Sequence, residues 1–200
     1  MTRLLICMLS ICIGFLPFCA EPQQDSTLQL AIADTASAAE DEKQLFDANI
    51  VPAAERMELY LPLLQGKKVG VFANHTSLVK NTNLVDTLLK KGITVTVVFG
   101  PEHGFRGTAD AGEKIGNYTD EKTGVPEVSL YGSKHQPSPE DLKNVDVMVF
   151  DIQDVGTRFY TYISSMQEYM EAAIENDKSL IILDRPNPNG FYVDGAMLDT

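Results

Sequence analysis

Residues 145–154 read VDVMVFDIQD, and the character of this stretch decides the fold. From Val145 to Phe150 one acid, Asp146, interrupts an otherwise apolar run. A strand with one wet face alternates apolar and polar residues. A near-continuous run suits a strand covered on both faces, as in a parallel sheet. Three similar runs lie around it: KVGVFA (Lys68 to Ala73), TVTVVF (Thr94 to Phe99) and LIIL (Leu180 to Leu183). A fifth and weaker one is EVSLY, Glu127 to Tyr131.

Helical patterns separate these runs. Asn83 to Lys91 carries Leu84, Leu88 and Leu89 on one side. Ser138-Pro139-Glu140-Asp141 reads as a helix start, with Ser as N-cap and Pro in the first turn. Phe159 to Asn176 places Ile163, Met166, Met170, Ala173 and Ile174 on one face, with Thr157 as a candidate cap. Strand and helix alternate, which predicts an α/β doubly wound domain with a mostly parallel sheet. Gly100 to Pro126 fits no element. Polar, Gly-rich connections of that length are uncommon in compact domains unless they carry function.

Charge and cysteine usage narrow the function. The net charge is −12 with 44% hydrophobic residues. That acidity argues against nucleic acid, whose binding needs a basic face, and it gives no polybasic patch for a membrane surface. Arg3 followed by the apolar run Leu4 to Phe18 reads as an export signal over residues 1–20, too short for a comfortable membrane span. The expected location is therefore periplasmic or extracellular, with lipidation of Cys19 as an alternative. The three cysteines, Cys7, Cys12 and Cys19, all fall in this segment. Cleavage past Cys19 removes disulfides, Cys-ligated zinc and cysteine nucleophiles from the mature chain. Residues 21–44 are small, polar and acidic, and read as a linker. Residues 45–200 carry the globular pattern.

In open parallel sheets ligands bind at the carboxyl ends of the strands. Asn74-His75-Thr76 follows the first apolar run, and Gly100-Pro101-Glu102-His103-Gly104 follows the second. Asp151-Ile152-Gln153-Asp154 and then Arg158 follow VDVMVF. Asp184-Arg185-Pro186-Asn187 follows LIIL. Each string alone also fits a cap, a turn or a local ion pair. Four together at one sheet edge point to an active site. Its residue types are carboxyl, imidazole, tyrosine and arginine. No serine sits in a nucleophile elbow, and neither GxxxxGK[ST] nor GxGxxG occurs. Carboxyl groups suit acid–base work at a glycosidic bond, where one must stay protonated to assist the leaving oxygen. Asp and His also suit a divalent metal, but no HxH or HxxxH spacing is present.

The strings GPEHGFRGTADAGE (100–113), VSLYG (128–132), VDVMVFDIQDVGTRFYTYISSM (145–166) and LDRPNPNG (183–190) resemble the NamZ-type exo-β-N-acetylmuramidases, formerly a domain of unknown function. The resemblance covers roughly residues 45 to 200. It implies a Rossmann-like domain followed by a smaller second domain that these 200 residues do not include, so residues 45–200 read as a truncated catalytic domain. It further implies release of non-reducing-end N-acetylmuramic acid from peptidoglycan fragments, with no cofactor and no metal. Glu102 is the implied catalytic acid. His103, Asp151, Gln153, Asp154, Arg158, Tyr160 and Tyr162 lie in matching strings and are implied to line the pocket. Asp151 or Asp154 is the candidate second carboxylate. Arg158, with Arg106 and Arg185 as competitors, is the candidate for the lactyl carboxylate. Asn74 and Asn187 complete the expected binding set. The chain has Asn74-His75 where the family more often has Asn-Gln. Two other classes remain open from the residues: a non-catalytic module that binds cell-wall sugars, and a metal-dependent hydrolase using Asp151, Asp154 and His103.

Overall fold

The structure, a computed structural model, describes residues 50–108, 116–191 and 193–196. All lie in the second of the two units into which the chain divides, Glu42–Thr200. The expected export signal (1–20) and linker (21–44) fall outside the described residues. No helix among the described residues is long and apolar enough to cross a membrane.

A single 3₁₀ turn, Ala53–Glu55, leads into helix α1 (Met57–Leu64). Strand β1 is Lys68–Ala73 and is followed by a short hairpin, β2 (Leu78–Val79) and β3 (Thr82–Asn83). Then come α2 (Leu84–Lys90), β4 (Thr94–Gly100), β5 (Tyr118–Thr119), β6 (Pro126–Ser129) and α3 (Pro139–Leu142). Strand β7 (Val147–Asp151), α4 (Tyr162–Glu175) and β8 (Ser179–Ile182) complete the order. The main sheet runs β5-β6-β4-β1-β7-β8, parallel throughout except for the edge pair of β5 with β6. Chain order reverses between β1 and β7. That is the switch point where open α/β sheets leave a crevice at their carboxyl ends.

The continuous apolar runs are explained by two cores, one on each face. Val69, Val71 and Ala73 of β1 join Tyr60, Leu64, Leu84 and Leu88 on the α1–α2 side. Phe72 points the other way, joining Phe99, Met148, Phe150 and Tyr169 on the α3–α4 side. Tyr169 is fully buried, 5.2 Å from Phe72 and 5.6 Å from Phe99 between ring centres, and its hydroxyl donates to Gly70 O at 3.2 Å. That bond satisfies the polar tip of an otherwise apolar ring.

Several boundaries differ from the sequence reading. Strand β7 begins at Val147, because Val145 N–H is spent on Leu142 O in the turn after α3. Helix α4 begins at Tyr162 after Thr161, and neither Phe159 nor Thr157 opens it; Gly156, at φ +68°, holds the preceding segment in a turn. Ser138 caps α3 as expected, in a capping box with Asp141. The stretch Gly100 to Pro126 is not structureless. It contains β5 and is tied at both ends by Arg106, whose guanidinium meets Asp86 on α2 at 2.8 Å and Asp120 after β5 at 2.8 Å. Helix α1 and the β2–β3 hairpin carry no distinct signal in the sequence. Pro62 sits inside α1, and each hairpin strand is two residues long.

Candidate functional site

The strand ends bring the loops into contact. After β1, Asn74 N–H donates to Ser77 Oγ at 2.9 Å, and Ser77 Oγ donates to Asp151 O at the end of β7. Asn74 and Ser77 are both buried. Thr76 Oγ1 accepts from Gln153 N–H at 3.4 Å. Gln153 Nε2 donates to Pro186 O at 2.9 Å, tying the β7 loop to the β8 loop. Asn187 packs so closely on Gly156 that a side chain at 156 would collide with its amide. Gly107 faces His75, where an added Cβ would lie 2.8 Å from the His75 Cβ. Three of the four polar strings therefore touch at one edge, and Gly107, just past the string after β4, brings that loop against His75.

Glu102 lies just beyond β4, in a cleft of about 240 Å³ also lined by Tyr131, His135, Tyr162 and Glu168. Its hydrogen bond with Tyr131 is the main cause that raises the Tyr131 pKa, since donating to a carboxylate holds the phenolic proton. Burial raises the pKa of Tyr162; the Asn74 amide offsets part of that rise, while Tyr160 and Glu102 add to it. Asn74 Oδ1 accepts from Thr76 N–H at 2.9 Å and from Thr76 Oγ1 at 2.6 Å. Asn74 Nδ2 is near enough to the Tyr162 hydroxyl to favour its ionised form. It nevertheless makes no hydrogen bond of good geometry, so it is a buried donor without a full partner. We read it as a near contact, because a true bond would satisfy the atom. Tyr160 and Tyr162 meet edge to face, 4.9 Å apart.

The carboxylates separate into two kinds. Asp151 is completely buried. Its Oδ1 accepts from Arg185 Nε at 2.5 Å and its Oδ2 from Arg185 Nη2 at 2.9 Å. Arg185 Nη2 also donates to Leu78 O at 2.8 Å. Burial pushes the Asp151 carboxyl up and Arg185 pulls it back down. Asp154 is half-buried and lines a cavity of about 160 Å³ that shares Tyr162 with the Glu102 cleft. Its Oδ2 accepts from Gly156 N–H at 3.1 Å.

The arginines also separate. Arg106, expected among the binding residues, is committed to Asp86 and Asp120, and Arg185 to Asp151. Two of the three guanidiniums expected to meet a substrate anion are thus taken up by the protein's own carboxylates. Arg158 is exposed, donates from Nη1 to Ala196 O at 3.1 Å and lines a separate cavity of about 450 Å³ with Phe159 and Asn189. His103 sits in the left-handed region at φ +71°, directly beside Glu102. Among the described residues no group of three or more His, Cys, Asp or Glu side chains is placed to hold a metal ion.

Tyr131, His135 and the buried Glu127 were not expected in or under the site. The fifth apolar run was the overlooked signal: Tyr131 and the residues after it follow β6 as Glu102 follows β4.

Comparison with known proteins bears on this arrangement. Residues 69–200 match the family described as exo-beta-N-acetylmuramidase NamZ, N-terminal. Over 145 residues the chain is 52% identical to the peptidoglycan beta-N-acetylmuramidase NamZ of Bacillus subtilis (strain 168), across 70% of this chain and 34% of that protein. A crystal structure of a DUF1343 family protein from Bacteroides fragilis NCTC 9343 matches with a TM-score of 0.64 at 45% identity, covering 76% of this chain and 39% of that one. A second DUF1343 structure from the same strain gives 0.62 at 43% identity, covering 70% and 35%. The chain thus spans between about a third and two-fifths of the length of these relatives.

Proposed function

Because the chain belongs to the family of NamZ exo-β-N-acetylmuramidase N-terminal domains, we propose that it is an exo-acting glycoside hydrolase. It releases non-reducing-end N-acetylmuramic acid from peptidoglycan fragments, with Glu102 as general acid. The observation that carries the reading is the position of Glu102. It stands at the carboxyl end of a central strand, in a cleft with Tyr131 and Tyr162, beside the switch point of the sheet.

In this reading Glu102 protonates the glycosidic oxygen as the bond to the sugar breaks. Tyr131 fixes the carboxyl group, and Tyr160 and Tyr162 offer ring faces to the sugar. Asn74 Nδ2, buried and lacking a full partner, donates to a substrate acceptor. Asp154 serves as the second carboxylate, because Asp151 already spends both oxygens on Arg185. Arg158 meets the lactyl carboxylate, being the candidate guanidinium not committed to a protein carboxylate in the hydrogen bonds and ion pairs above. His103 orients Glu102. Gln153 and Asn187 hold the loops that carry these groups. Export through the segment 1–20 belongs to the same proposal, since the substrate lies outside the cytoplasm.

The test is incubation with a disaccharide whose non-reducing end is N-acetylmuramic acid, and with the reversed disaccharide ending in N-acetylglucosamine. The reading expects free N-acetylmuramic acid from the first, none from the second, and no effect of EDTA. Binding without release would favour a sugar-binding module, and loss of release with EDTA would favour a metal-dependent hydrolase.

A further inference from the structure

Glu127 is a buried acid that the reaction above does not use. It opens the buried part of β6, is 1% exposed, and reaches beneath the turn that carries Glu102. Its Oε1 accepts from Phe105 N–H at 3.0 Å. Room for the carboxyl group exists because residue 100 is glycine: any side chain there would strike Oε1. The turn itself is tight. Gly104 N–H donates to Pro101 O at 3.0 Å, and His103 and Gly104 are both left-handed at φ +71°. A histidine costs about 1 kcal/mol or more in that region and stays there only where its surroundings hold it. Leu130 N–H donates to Gly100 O at 2.8 Å, so the start of the turn is fixed to the end of β6. Tyr118, Asp120 and Arg106 are the ionisable groups around Glu127. Burial is the main cause that raises the Glu127 pKa, and Tyr118 acts in the opposite direction. Oε2 is buried without a hydrogen bond of good geometry, so Tyr118 is a near neighbour and not a full partner.

We propose that Glu127 is a positioning residue. Its carboxyl group anchors the Phe105 amide and so fixes the left-handed turn that presents Glu102 to the cleft. This rests on Glu102 being the catalytic acid. A group displaced by about 1 Å can lower a rate about a hundredfold, so the anchor acts on the chemical step more than on sugar binding.

The experiment compares the full chain with its Glu127→Gln, Glu127→Ala and Gly100→Ala variants, using a chromogenic N-acetylmuramic acid glycoside. Amide exchange at Phe105 is measured in parallel. Gln keeps an acceptor for Phe105, so kcat stays within about threefold and the amide stays protected. Ala is expected to lower kcat at least about tenfold with KM within about twofold, and to speed exchange at Phe105. Gly100→Ala, whose added Cβ would strike Glu127 Oε1 and lie 3.0 Å from Phe105 N, parts the carboxyl group from the amide while leaving Glu127 in place; it is expected to do the same and decides the matter if Glu127→Ala does not fold. Faster exchange at Phe105 with unchanged kcat, or a tenfold loss in Glu127→Gln, overturns the inference. No turnover by the unsubstituted chain overturns the functional reading instead, and the positioning role with it.

Discussion

Replacing Arg185 with methionine leaves the Asp151 carboxylate buried without its partner. Arg185 is 7% exposed and Asp151 0%, so neither charge is relieved by water. The change removes two charge-assisted bonds to Asp151, at 2.5 and 2.9 Å, and one to Leu78 O at 2.8 Å. Such bonds contribute about 1.5–3 kcal/mol each, and breaking one side of a buried pair costs about 3–5 kcal/mol in total. For a domain of this size that lowers Tm by about 6–20 °C, at about 2–4 °C per kcal/mol. The pH dependence has a definite sign. Burial already holds the Asp151 pKa above its ordinary value, and removing Arg185 raises it further. The folded variant then binds more protons than its unfolded chain. Its stability is retained below the unfolded pKa of about 3.9 and is lost as pH rises through the raised folded value. The gap between variant and parent should therefore be widest near neutral pH and narrow on acidification. Urea melts at a series of pH values measure this. A cost under about 1 kcal/mol at neutral pH, or a gap that widens toward acid, would refute a buried and dehydrated pair.

Three further outcomes follow from other contacts. Arg106→Met should cost about 2–3 kcal/mol by freeing the 100–126 excursion from Asp86 and Asp120, read as a lower urea midpoint. The Asp86 pKa is lowered chiefly by Arg106; for Asp120, burial opposes a lowering by Arg106 and Thr123 that prevails. Their stabilisation is thus present above the unfolded carboxylate pKa and lost as pH falls through the depressed folded values, so the variant should show a flatter acid limb. Gly107→Ala, at φ +69° and with a Cβ 2.8 Å from His75, should lower stability by about 1–3 kcal/mol, checked by thermal melting. Ser138→Ala removes the capping box of α3 and should cost about 1 kcal/mol, visible as faster amide exchange at Asp141.

Much of the sheet was legible because a strand covered on both faces writes its burial into a continuous run. Lys68 to Ala73 shows this directly: odd positions feed one core and Phe72 the other. Where an element is held by long-range contacts, the sequence is silent. Arg185 Nη2 donates to Leu78 O of the β2–β3 hairpin from more than a hundred residues away, and no local sequence pattern marks such a contact. The start of α4 lies beyond the expected cap Thr157 because the chain turns at Gly156, φ +68°; Thr161 takes the N-cap position without a side-chain cap bond, so no capping signal marks it in the sequence. In the candidate site, residue type singles out Glu102 and Asp154 as carboxylates at strand ends. It could not reveal that Asp151, Arg106 and Arg185 spend their charges on each other and on Asp86 and Asp120, because pairing is a property of distance.

The central claim is that Glu102 is the acid of a muramic-acid-releasing glycosidase, and the most direct test sets the chain beside its Glu102→Gln variant on a chromogenic N-acetylmuramic acid glycoside. The Bacillus subtilis relative serves as positive control. Release by the parent chain with a loss of at least about a hundredfold in the variant, and equal thermal stability of the two, is the predicted result. Equal release by both, or no release by a folded parent under conditions where the relative turns over, would contradict it.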